Sequence, residues 1–154
     1  KKFNFNTPIS ADLTLYAKWT KTEVSADKQI IMTIGEKSVA VFGKTVLNDV
    51  APVIVYDRTM LPARFVAEAL GAKVYWNEAT KGVTIIGEID GKVVNMLITI
   101  DSTTAYLNGE KIKLDSAAFI ADSRTYLPLR FICESLSAEV EWLKDTQKII
   151  ITAK

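Results

Sequence analysis

The stretch RTMLPARFVAEALGAKVYW, from Arg58 to Trp76, is written a second time as RTYLPLRFICESLSAEVEW, from Arg124 to Trp142. A displacement of 66 positions overlays the chain on itself without a gap from about Ile30 to Gly87, with about a third of the aligned positions identical. Thr33-Ile34 falls on Thr99-Ile100, Gly43 on Gly109, Asp49 on Asp115 and Thr80 on Thr146, and most other positions swap like for like, as Val66 with Ile132. Whatever one copy builds, the other must build too. A unit of about 60 residues has a marginal core by itself. The two copies, about 30–88 and 96–154, are therefore expected to share one core and to be related by an approximate two-fold axis. Two beads with a small contact are the alternative.

Each copy reads as strands around one short helix. Val39, Val41 and Val46 alternate through a turn at Gly43, and Ala105, Leu107 and Ile112 do so around Asn108-Gly109, a strong hairpin signal. Short apolar strands follow, Pro52–Val55 and Ala118–Ala121. Leu61-Pro62 and Leu127-Pro128 then suit the first turn of a helix, where the missing proline N–H costs nothing. Phe65, Val66, Ala69 and Leu70 form one apolar helical stripe. Gly71 stands where a left-handed C-cap belongs, and Ser137 there should serve slightly worse. Val74 and Trp76 alternate on a strand, and the segments Val83–Ile89 and Lys92–Ile100 should pair directly across the Asp90-Gly91 turn. The fold class expected is α+β, with antiparallel sheets curled around two short helices.

Composition removes several chemistries. The chain has 154 residues, 49% of them hydrophobic and 24% charged, as in a globular protein. A net charge of +1 creates no field that would favour nucleic acid. No apolar stretch approaches the roughly 20 residues of a membrane helix, so no membrane insertion is expected. Histidine is absent and Cys133 is the single cysteine. There is accordingly no histidine-based catalytic triad, no Cys/His zinc site, no imidazole copper site and no intramolecular disulfide. No catalytic residue, metal ligand or cofactor is assigned.

Residues 1–26 belong to neither copy. Leu13, Leu15 and Ala17 alternate with polar positions as in a strand, and Thr22–Lys28 is linker-like. The opening Lys1-Lys2-Phe3-Asn4-Phe5 reads as the middle of a longer polypeptide. The domain division is thus 1–26, a terminal strand plus linker, and 27–154, the duplicated domain.

The doubled motifs RTMLPARFVAEALGAKVYWNEATKGVTI and RTYLPLRFICESLSAEVEWLKDTQKIII, each preceded by a hairpin and a short strand, resemble the copper amine oxidase N-terminal-like, or stalk, domain of secreted and surface proteins of Gram-positive bacteria. The resemblance covers about Ile30 to Lys154. It implies an antiparallel sheet curled round a helix. It does not imply oxidase activity, because the copper and quinone of those enzymes lie in a different domain. FNTPISADLTLYAKWT, within residues 3–20, resembles the last strand of an internalin-type B repeat, again a module of bacterial surface proteins.

Three kinds of repeated residue, and three tyrosines that do not repeat, are candidates for more than packing. Arg64 with Glu68, and Arg130 with Glu134, are one helical turn apart, but Arg precedes Glu, the less favourable order against the helix dipole. The arginines are therefore expected to reach off the helix and brace the sheet, rather than bind an anion. Arg58 and Arg124 are placed in the turn before the helix, in a turn-bracing or solvated role. Trp76 and Trp142 share a strand face with Val74 and Val140 and are expected in the core, with sugar stacking as the alternative. Pro62, Pro128, Phe65 and Phe131 complete the structural motif. Tyr56, Tyr75 and Tyr106 have no tyrosine at the matching position of the other copy, so they are the candidate ligand contacts.

The reading that follows is a non-catalytic extracellular spacer or interaction module. Its partners would be neighbouring domains of the same polypeptide, a cell-wall polysaccharide or another surface protein. A carbohydrate-binding module is the alternative, and a hydrolase or accessory enzyme domain a distant third, since a glycosidase needs only two suitably spaced carboxylates.

Overall fold

Apolar alternation and left-handed turns divide residues 28–154, the part of the chain described in the computed structural model, into fourteen strands and two short helices. The strand expected within residues 1–26 lies outside the described residues. The first copy supplies β1 (Gln29–Thr33), β2 (Ser38–Val41), β3 (Lys44–Leu47), β4 (Val53–Val55), β5 (Arg58–Pro62), α1 (Ala63–Ala69), β6 (Lys73–Asn77) and β7 (Gly82–Ile89). The second supplies β8 (Lys92–Thr99), β9 (Thr104–Leu107), β10 (Glu110–Lys113), β11 (Phe119–Ala121), β12 (Arg124–Pro128), α2 (Leu129–Ser135), β13 (Glu139–Leu143) and β14 (Lys148–Thr152). The protein is α+β, and the sheets are antiparallel throughout.

The turns explain the hairpins. Phe42-Gly43, Asp90-Gly91 and Asn108-Gly109 all have positive φ at both residues, the geometry whose twist matches two paired strands. Tyr56-Asp57 and Asp122-Ser123 do the same without a glycine, at some steric cost. Gly71 has φ +83 after α1, and Ser137 takes φ +55 after α2, as the C-cap reading requires. The start of each helix differs from expectation. Pro62 and Pro128 are not first-turn residues but the last residues of β5 and β12, extended at φ −60. Arg58 and Arg124 therefore begin strands instead of sitting in a helix-entry turn. The β-bond partners across the sheet outweighed proline's suitability for a helix start.

The sheets interleave the copies. One has the order β13-β14-β1-β2-β3 and another β10-β9-β8-β7-β6, so each closing hairpin adds to the opening strands of the other copy. The third, β11-β12-β5-β4, is joined at its centre by Leu127 opposite Leu61, with Pro128 opposite Met60 and Tyr126 opposite Pro62. Helix α1 packs on β5, β6 and β12, and α2 on β5, β12 and β13.

The buried side chains fall into two clusters rather than the single core expected. One joins Ala67, Val83 and Ile85 of the first copy to Met96, Ile98, Leu127 and Ile132 of the second. The other joins Ile30, Met32, Leu61 and Val66 to Leu129, Cys133, Ile149 and Ile151. Neither cluster is built from one copy alone, because each draws buried side chains from both. Gly87 marks one close approach: a Cβ there would lie 2.6 Å from Leu136 Cδ2.

Candidate functional site

Two arginines at matching places in the repeat cross to the opposite copy. Arg124 Nη2 donates to Asp49 Oδ2 at 2.7 Å, and Arg58 Nε lies 3.6 Å from Asp115 Oδ2. Each pair ties the head of a central strand to the loop after the other copy's second hairpin. The sequence showed the signal, since both arginines and both aspartates recur at one offset, but no local spacing reveals which arginine meets which aspartate.

The helical arginines behave otherwise. Arg64 and Arg130 are exposed, and their only ion-pair partners among the described residues are Glu68 and Glu134, at 3.9 and 3.8 Å. Among the described residues the expected reach from the helix to the sheet is not made. The dipole argument failed because on exposed side chains the penalty is at most about 0.3–1 kcal/mol and is screened by salt, too little to draw the arginines off the helix.

Trp76 and Trp142 correct a second expectation. They are 36% and 40% exposed, not core residues. Strand alternation does place them on the same face as the half-buried Val74 and Val140, but they lie near the strand ends. The Trp76 indole N–H donates to Glu78 Oε2 at 2.7 Å, and Lys81 also donates to Glu78. These two hydrogen bonds, Lys81 first, hold the Glu78 carboxyl below its ordinary pKa. At the matching positions beside Trp142 stand Lys144 and Gln147. Among the described residues the Trp142 indole N–H has no such acceptor.

Trp142 lines a groove of about 730 Å³. Phe131, Arg130 and Glu134 of α2 form one wall and Lys113 and Asp115, at the end of β10, another. Asp57 of the β4–β5 turn and Arg58 at the start of β5 line it from the first copy, and Lys144 and Gln147 stand at the β13–β14 turn. The groove thus gathers Arg58, Pro128, Arg130, Phe131, Glu134 and Trp142 of the doubled motif. Lys113, Lys144 and Gln147 were not foreseen, because they differ between the copies and follow no motif; Asp57 was open only as one of several scattered carboxylates.

The three tyrosines are exposed, but they do not form one site. Tyr56 is 90% exposed in the β4–β5 turn. Tyr75 and Tyr106 share one row, with Thr84 and Leu97 between them on adjacent strands, and so lie on one sheet face about 14 Å apart. Neither tyrosine reaches the Trp142 groove.

Among the described residues the single thiol is no candidate nucleophile. Burial in the core pushes the Cys133 thiol up to about 12, which makes it an inert apolar side chain. Burial, with the nearby Asp122 charge, also raises Tyr126, whose ring stacks on Phe119 at 5.0 Å. Among the described residues no three carboxylate or thiol groups converge as a metal site. With no histidine and its one thiol sealed in the core, this donor set does not fit copper. No helix among the described residues is long and apolar enough to cross a membrane.

No curated protein matches the chain. A family model, that of the copper amine oxidase N-terminal domain, matches it twice, over residues 9–85 and 88–151. The first match begins ahead of Ile30, where the repeat becomes visible in the sequence. This domain type is non-catalytic and stalk-like. With two matches that together span most of its length, the chain belongs to the copper amine oxidase N-terminal domain family.

Proposed function

We propose that the chain is a non-catalytic interaction module of a secreted or cell-surface bacterial protein, presenting its faces beside the polypeptide that carries it. Its two copies are related by an approximate two-fold axis through the Leu61–Leu127 pair. That symmetry is supported by the reciprocal pairing, in which Met60 meets Pro128 while Pro62 meets Tyr126. The surface location is supported by the resemblance of residues 3–20 to internalin-type B repeats.

One observation carries the choice of a presenting module over a length-adding spacer. Strands β1 and β14 are neighbours, and the Ala153 N–H donates to the Lys28 carbonyl at 2.9 Å. The chain enters and leaves the described body side by side, so the body projects from the polypeptide instead of extending it. Fluorophores attached just before Lys28 and just after Ala153 should show a separation near the strand spacing, about 5 to 10 Å plus the dye linkers. A separation of the body's full length would refute the reading.

A second reading, carbohydrate binding, is favoured by one specific feature. Trp142 is half-exposed over a groove and its indole N–H has no acceptor among the described residues, the arrangement in which an aromatic ring offers both an apolar face and a polar edge.

A further inference from the structure

The duplication supplies its own comparison for the Trp142 groove. The same motif builds Trp76 in the first copy, but there Glu78 accepts the indole hydrogen and Lys81 neutralises Glu78. Leu47 and Glu78 occupy the positions that Lys113 and Lys144 hold in the second copy. The first tryptophan is thus satisfied from within the chain. The second faces the groove with two cations in place of an apolar residue and an acid.

The charges of the groove can be followed one by one. Arg58 is paired with Asp115, and Arg130 with Glu134. Lys113, Lys144 and Asp57 line the groove without an ion-pair partner among the described residues. The local surplus is positive. We propose that this groove is a subsite for an acidic polysaccharide, with Trp142 as the ring platform and Lys113 and Lys144 as donors to its carboxylates. The proposal rests on the carbohydrate reading above and names the class of glycan.

The lining is mixed: Trp142 shares the groove with apolar side chains such as Phe131, Ile54 and Val140 and with donors and acceptors, namely Lys113, Lys144, Gln147, Arg58 and Asp57. Such a lining can meet both the apolar face and the hydroxyls of a sugar, while ammonium-to-carboxylate hydrogen bonds select an acidic one. The volume lies in the range of small-ligand sites.

The test is calorimetric titration of the full chain with an oligogalacturonate and, separately, with a neutral cello-oligosaccharide of the same length. Binding of the acidic oligomer is expected, weakening as salt is raised. Trp142→Phe should weaken it a few-fold, and Trp142→Ala and the pair Lys113→Ala/Lys144→Ala at least ten-fold. Trp76→Phe should leave it unchanged. The Trp142 indole N–H resonance, assigned through Trp142→Phe, should move on titration while that of Trp76 does not, so the outcome does not depend on the alanine variant folding. Equal binding of both oligomers would overturn the acidic specificity and keep the carbohydrate reading. Binding insensitive to Trp142 substitution would overturn the site. Binding of neither oligomer would overturn the proposal; a broad panel of neutral cell-wall glycans would then decide whether the carbohydrate reading falls with it.

Discussion

Arg124 Nη2 lies 2.7 Å from Asp49 Oδ2, a hydrogen bond between residues 75 positions apart that joins the two copies of the repeat. Its counterpart, Arg58 with Asp115, joins them in the opposite sense at 3.6 Å. Both pairs are solvent-exposed, so their worth is more in register than in energy. They flank the central β5–β12 pairing and oppose a slip, which would turn every inward side chain outward.

A double-mutant cycle on Arg124→Ala and Asp49→Ala should give a coupling of about 0.2–1 kcal/mol, the range for exposed ion pairs. Arg64→Ala and Arg130→Ala should each stay within about 0.5 kcal/mol of wild type, as for ordinary surface changes. Denaturant midpoints of the variants measure both. A loss of several kcal/mol at Arg64 would show that it has a partner beyond Glu68.

Leu61 is fully buried at the centre of the third sheet and belongs to a cluster that both copies wall. Leu61→Ala should cost about 2–5 kcal/mol. Because each cluster needs both copies, fluorescence and far-ultraviolet circular dichroism should report one coincident unfolding transition. Two separated transitions would mean that the copies fold as independent units.

Asn48 is buried, and its Nδ2 has no acceptor among the described residues, although its Oδ1 accepts the Asp49 N–H at 2.9 Å. The second copy places Leu114 at the same position, also buried. Asn48→Leu removes an unsatisfied donor and should raise stability by about 1 kcal/mol. A lower denaturant midpoint for this variant would show that the Asp49 hydrogen bond matters more than the stranded amide.

The Glu78 carboxyl is held below its ordinary value of 4.5 by hydrogen bonds from Lys81 and Trp76. A carboxyl with a lowered folded pKa stabilises the fold fully above its unfolded value, and that contribution fades as the pH falls through the folded value. The Trp76 indole resonance should therefore be constant above about pH 5 and shift at a midpoint below 4.5. Glu78→Gln should abolish that titration, and a midpoint above 4.5 would contradict the hydrogen-bonded carboxylate.

The repeat, the order of strands and helices, and the glycine turns were legible in the chain because each rests on local physics. A hairpin at Asn108-Gly109 needs only two residues able to take positive φ, and the cap at Gly71 only one. The same local physics misplaced Pro62 and Pro128, whose backbone suits both a helix start and a strand end, and the pairing of β5 with β12 chose the strand. It misplaced Trp76 and Trp142 too, because alternation tells which face a side chain takes but not how far the neighbouring wall extends.

What the sequence alone determined is therefore the unit and its duplication: residues that recur 66 positions apart must build the same elements. What only the tertiary structure decided is how the copies share those elements. Closing hairpins cross to the partner copy's sheet, Arg58 and Arg124 find aspartates in the other copy, and Trp142 opens onto a groove where Trp76 is tied to Glu78. The reason is physical. Both hairpin exchange and pairing within a copy would satisfy the same backbone hydrogen bonds, and only the mutual fit of two incomplete cores separates them.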